Sequence, residues 1–100
     1  MQFRFQTKEL KDLYITEKGI QKYPPDVANS FFEIMDIIAA AKDERDLYAL
    51  KSLHFEKLVG NRQGQHSLRL NIQWRLIVTI EKVAQEKWVV VISIENHYKK

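Results

Sequence analysis

The sequence predicts an α+β fold in which two N-terminal helices pack on a curled antiparallel sheet. The spacing of apolar residues carries this. They recur at helical intervals between Leu10 and Ala39, then at every second position from Ser52 onward. Helices gathered on one side of such a sheet give a two-layer α+β arrangement.

Each element has its own signal. Met1 to Gln6 alternates, with Phe3 and Phe5 against Gln2, Arg4 and Gln6, and reads as a first strand. Thr7 caps a helix that places Leu10, Leu13 and Tyr14 on one side, and Gly19 stops it. Pro24-Pro25-Asp26 opens a second helix. Its apolar stripe runs through Val27, Phe31, Ile34 and Ile38, with Phe32, Met35 and Ala39 beside them, and is expected to pack on the sheet. Asp43 to Asp46 reads as a charged linker that ends this helix.

Strands follow. Leu53 to Leu58 is the first, then a glycine-flanked loop from Gly60 to Gly64, then His66 to Leu70, Trp74 to Ile80 and Trp88 to Ile94, with turns near Asn71 and Ala84. A three-residue turn, Asn71-Ile72-Gln73, pairs Leu70 with Trp74 and Leu68 with Leu76 on the core side. The same register sets Arg69 opposite Arg75 on the other face, with Ser67 beside them. A two-residue turn would instead bury arginine among leucines. In the last strand Trp88, Val90, Ile92 and Ile94 are expected on the core face. Val89, Val91, Ser93, Glu95 and His97 then take the face of the arginines.

Composition bounds the function. The chain has 100 residues, 45% hydrophobic and 29% charged, the profile of one globular domain spanning residues 1–100. No cysteine is present, which excludes disulfides and thiolate metal sites. The longest apolar run, Trp88 to Ile94, is too short to span a bilayer, and no secretory h-region is visible near the start. A cytoplasmic protein with no membrane partner is expected. Residues 1–50 carry seven Lys/Arg against nine Asp/Glu, whereas residues 51–100 carry nine against four. The second half therefore points at a polyanion or an acidic partner.

Two opposed arginines repel unless an anion lies between them, and RNA phosphate is the leading candidate for that anion. Metal-free RNA cleavage needs a base for the 2′-hydroxyl, an acid for the 5′-oxygen and cations for the charge gathering on phosphorus. Histidine suits either proton role, and arginine suits the phosphate. The expected site is Arg69 and Arg75 on the scissile phosphate with His97 or His54 in proton transfer. Tyr98 would stack on a base or donate a proton, and Asn96 would orient a neighbour. Arg62, Lys57 and Lys99 are expected to contact RNA. His66 reads as a surface residue at a strand edge, and Trp74 and Trp88 as core. The histidine spacings match no metal-ligand motif, so neither a metal nor a cofactor is expected. The glycine loop has no following helix and is no nucleotide-binding loop.

The order of elements, with Leu53-His54, Leu58, Gly60, Arg62 and Gly64 followed by Ser67, Arg69, Asn71, Trp74 and Arg75, resembles the RelE/ParE superfamily of bacterial toxins, and within it the HigB-like branch. The resemblance implies a RelE-like fold and a toxin of a type II toxin–antitoxin system. It further implies a ribosome-dependent endoribonuclease acting on mRNA, silenced by a helix-turn-helix antitoxin of the HigA kind. Carried over by position, it implies a site of His54, Arg62, Arg69, Arg75 and the C-terminal cluster. Set against the branch's Asp-Tyr-His ending, Asn96-His97-Tyr98 lacks the carboxylate and exchanges histidine and tyrosine, which implies a weakened or altered nuclease. Two other classes stay open: a ParE-like inhibitor of DNA gyrase, which needs no proton-transfer groups, and a non-toxic RNA- or protein-binding module.

Overall fold

The computed structural model describes residues 1–97. Strand β1 (Gln2–Phe5) leads into helices α1 (Lys8–Thr16), α2 (Pro25–Ala40) and α3 (Glu44–Ala49). Strands β2 (Glu56–Lys57), β3 (Gln65–Arg69), β4 (Trp74–Val83) and β5 (Glu86–Asn96) follow. They form one sheet in the order β1-β5-β4-β3-β2. The fold is the expected α+β type, with one refinement. β1 lies parallel to β5, while the other three pairings are antiparallel.

The helices form for the reasons the sequence suggests. The Thr7 hydroxyl accepts a hydrogen bond from the Leu10 amide and caps α1. The helix stops earlier than Gly19, at Thr16, with Glu17 in the left-handed region at φ 60°. Pro25 begins α2, where its missing N–H costs nothing. Val27, Phe31, Ile34, Met35 and Ile38 are buried against the sheet, and Phe31 meets Phe5 and Tyr14 at centroid distances of 6.4 Å each. Ala39, expected beside the stripe, is exposed.

Three expectations need correction. The charged linker is helix α3. Asp43 accepts from the Arg45 amide at its N-terminus, and Leu47 is fully buried beneath it. One buried residue in six is a weak periodic signal, which is why the helix was not legible. The expected strand from Leu53 to Leu58 shrinks to Glu56–Lys57. Lys51–Leu53 forms a 3-10 turn closed by His54 at φ 47°, and that bend diverts the chain.

The third correction concerns β5. Between Ile77 and Val78 the register slips, so Ile77 pairs with Ser93 and Val78 with Val91, leaving Ile92 as the extra residue of a bulge. Side-chain parity therefore flips along β5. Val89 and Val91 join the helix-side core, and Trp88 and Val90 fall on the other face, the reverse of the expectation. Beyond the bulge the expected parity returns. Ile94 packs in the core, and Glu95 lies across from Arg75. Trp74 is core as expected, with its ring edge-on to Tyr23 at 5.9 Å.

The β3–β4 hairpin takes the expected register. Leu68 pairs with Leu76, Arg69 with Arg75, and the Leu70 amide donates to the Trp74 carbonyl at 2.9 Å. Asn71 makes the turn. Its side-chain oxygen accepts from the amides of Gln73 and Trp74, both at 2.8 Å, and its amide nitrogen donates to Asp26 at the start of α2 at 3.0 Å. The hairpin tip is thereby tied to the helical layer.

Among the described residues no helix is long and apolar enough to cross a membrane.

Candidate functional site

On the face away from the helices, β2 to β5 and the Gly60–Gly64 loop surround a cavity of about 310 Å³. Alternation brings Ser67, Arg75 and Glu95 to it from three strands. His54 and Arg62 enter from the loops on one flank and His97 from the end of β5 on the other. Leu58, Val59 and Ile77 give it an apolar wall.

The three arginines are held in different ways. Arg75 Nη1 donates to the backbone carbonyls of Asn71 at 2.9 Å and Trp74 at 3.1 Å, which fixes the guanidinium against the hairpin turn. Arg69 does not line the cavity and meets it through His54, whose Nε2 lies 3.1 Å from Arg69 Nη1. A guanidinium only donates, so Nε2 is the acceptor and the His54 proton sits on Nδ1. Arg62 makes a bidentate pair with Glu95, both oxygens at 2.7 Å, and its Nε donates to Gln65 at 3.0 Å. Ser93 Oγ donates to the same carboxylate at 2.5 Å. The Arg62 guanidinium, opposed by partial burial and aided by Ser93, holds the Glu95 carboxyl below the usual range for a glutamate.

Glu95 is the residue that sequence reasoning did not select. Alternation had already put it on the face of the arginines. Glu95-Asn96-His97 also keeps a carboxylate first and a histidine last against an Asp-Tyr-His ending. The apparent loss of the carboxylate came from setting that ending one residue too late.

The other expected residues divide. His54, Arg62, Arg75 and His97 line the cavity together. Asn96 pairs in register with Trp74, so it belongs to the opposite face and does not line it. Lys57 pairs with His66 on the helix-side face, and both line a separate cavity of about 650 Å³. Tyr98 and Lys99 lie outside the described residues. His66 is half-buried and not a free surface residue: its ring stacks on Phe55 with centroids 4.8 Å apart and planes 7° from parallel. Burial, reinforced by Lys57, pushes its pKa below the ordinary 6.5. Its Nδ1 is buried with no hydrogen-bond partner among the described residues. Leu68 and Leu70 on the core face already implied this by alternation.

A family model described as the RelE-like toxin of type II toxin–antitoxin system HigB matches residues 3–97. The chain belongs to the HigB-like toxin family. Toxin HigB-1 of Vibrio cholerae is 36% identical over 77 residues, which is 77% of this chain and 81% of that protein. Among solved structures, the YoeB/ParE toxin from Agrobacterium tumefaciens aligns with a TM-score of 0.62 at 15% identity, covering 98% of this chain and all of that one. The YoeB-YefM complex from Staphylococcus aureus aligns equally well, with a TM-score of 0.62 at 21% identity and 98% of both chains covered. At such identities the two structures establish a shared fold. The match over residues 3–97 makes this HigB-like chain the toxin of a type II toxin–antitoxin system.

Proposed function

We propose that this HigB-like toxin is a ribosome-dependent, metal-free mRNA endoribonuclease. The observation that carries the reading is the convergence of His54, Arg75, Glu95 and His97 on one cavity. A toxin acting by binding alone has no use for two imidazoles and a carboxylate beside a fixed guanidinium.

The 2′-oxygen attacks the adjacent phosphorus as the bond to the 5′-oxygen breaks, giving a 2′,3′-cyclic phosphate and a free 5′-hydroxyl. Arg75 is pre-aimed by two carbonyls and faces the charge that gathers on the phosphoryl oxygens. His54 and His97 flank the β3–β4 hairpin and serve the two proton transfers, one removing the 2′-hydroxyl proton and the other protonating the 5′-oxygen. Arg69 fixes the His54 ring and its tautomer. Glu95 adds an anionic proton acceptor to the set. The cationic face is short, so the ribosome supplies the alignment of the message.

The partner that silences the toxin is proposed to be a helix-turn-helix antitoxin of the HigA kind, and the working compartment the cytoplasm. Induced expression followed by mapping of mRNA 5′ ends tests the activity. New 5′-hydroxyl ends within translated regions are expected, with naked RNA cut poorly. Intact mRNA with inhibited DNA supercoiling would replace this reading with gyrase inhibition.

A further inference from the structure

Arg62 differs from the other two site arginines in what holds it. Arg69 meets an imidazole nitrogen and Arg75 meets carbonyls, whereas Arg62 is bound by a carboxylate through both guanidinium branches. A carboxylate and a phosphate offer a guanidinium the same pair of oxygens, so one substitutes for the other without new geometry. The segment that carries Arg62 is a single 3-10 turn, Gly60–Arg62, with Gly60 and Asn61 exposed. Gly60 and Gly64 bracket it at φ 72° and φ 92°, and a Cβ at either would meet nothing within 4 Å. The glycines therefore answer a conformational need and not a packing one, and they leave both ends of the loop in open space. Glu95 is anchored differently, on β5 and by the Ser93 hydroxyl at 2.5 Å, so it stays in the cavity when the loop shifts.

We propose that Arg62 is an exchange latch: Glu95 holds its guanidinium in the free toxin, and an RNA phosphate replaces the carboxylate. The substrate then gains a cation, and Glu95 is released beside the reacting ribose. The exchange also couples binding to basicity. A carboxylate that loses its guanidinium partner holds a proton more readily, so Glu95 gains proton affinity only once a phosphate is in place. Arg62 is a positioning residue in this scheme. The inference rests on the nuclease reading for its substrate, but its test requires no cleavage.

The probe is a 2′-O-methyl oligoribonucleotide, which has no nucleophilic hydroxyl and stays intact. Its affinity is measured against salt for the wild type, Glu95→Gln, Arg62→Ala and the double variant. Glu95→Gln is expected to bind several-fold more tightly with the salt dependence unchanged, because Arg62 meets the same phosphate in both complexes, whereas Arg62→Ala should flatten that dependence by about 0.7 of a log unit per log unit, the loss of one neutralised phosphate on a single strand. The Glu95→Gln gain should vanish when Arg62 is also alanine. A second readout uses the wild type alone: the side-chain carboxyl ¹³C resonance of Glu95 should titrate at higher pH with the oligonucleotide bound than without it. A Glu95→Gln gain that survives in the Arg62→Ala background would overturn the latch, since Glu95 would then act only as a repelling charge. An unmoved Glu95 titration, or no binding by any of the four proteins, would overturn it as well. The 5′-end map in cells judges the nuclease reading separately.

Discussion

Arg69 and Arg75 stand directly opposite each other across the β3–β4 hairpin, yet their guanidiniums part. Arg69 turns to His54 and Arg75 to the carbonyls of Asn71 and Trp74. Like charges in facing register repel, and these two relieve the repulsion by each taking an acceptor on its own side. Among the described residues, the acceptors that hold these two cations are a ring nitrogen and two backbone carbonyls.

Replacing either arginine separates function from stability. Arg69→Ala should leave stability within about 0.5 kcal/mol, because it removes an exposed contact and a like charge together. Arg75→Ala should cost about 0.5–1.5 kcal/mol through its carbonyl bonds. Both should abolish growth arrest. Thermal melts beside a toxicity assay check this, and a folded, fully toxic variant would show that this face is not the active one.

His97→Ala should lower cleavage by roughly 10²- to 10⁴-fold, the usual effect of losing a proton-transfer group, with the protein still folded. His54→Ala should have an effect of the same order, and it also strips Arg69 of its acceptor. Single-turnover cleavage on programmed ribosomes measures both. Unchanged rates in both variants would remove the imidazoles from the mechanism.

Asn71 lies outside the cavity but sets the hairpin turn and ties it to α2 through Asp26. Asn71→Ala should cost about 0.5–1.5 kcal/mol, because amides at the turn exchange their side-chain acceptor for water. Activity should fall with it, since Arg75 hangs on the Asn71 carbonyl. A melt indistinguishable from wild type would contradict the role given to this turn.

His66 makes stability depend on pH. Burial holds its folded pKa below the ordinary 6.5, so between those two values the unfolded chain carries a proton that the folded chain does not. Stability from this residue is therefore complete above pH 6.5 and is lost as pH falls toward the lowered folded value. His66→Phe should flatten that part of the stability curve while keeping the stack on Phe55. His66→Ala should cost about 0.5–1.5 kcal/mol beyond the area it exposes. Identical pH slopes in the wild type and His66→Phe would refute the assignment.

Most of the sheet was legible because period-two patterning is unambiguous where one face is buried. Leu68, Leu70, Trp74, Leu76 and Val78 left one register for the hairpin, and that register carried Arg75 to the site. The bulge at Ile92 was not legible. Val89, Val90 and Val91 are all apolar, and such a run gives no sign of which side each residue takes. The left-handed bend at His54 was hidden for a different reason, since it depends on how a 3-10 turn closes and not on any local preference of histidine. Lys57 and Asn96 were chosen for their residue type and pair on the opposite face, and Glu95 was passed over although its parity was right.

The cavity bounded by His54, Arg75, Glu95 and His97 is proposed to cut translated mRNA. The most direct measurement compares 5′-hydroxyl ends across the transcriptome after brief induction of the wild type and of Arg75→Ala at matched protein levels. New ends confined to translated regions in the wild type and absent from the variant are predicted. Growth arrest by the wild type with no new ends, or the same ends in both strains, would contradict it.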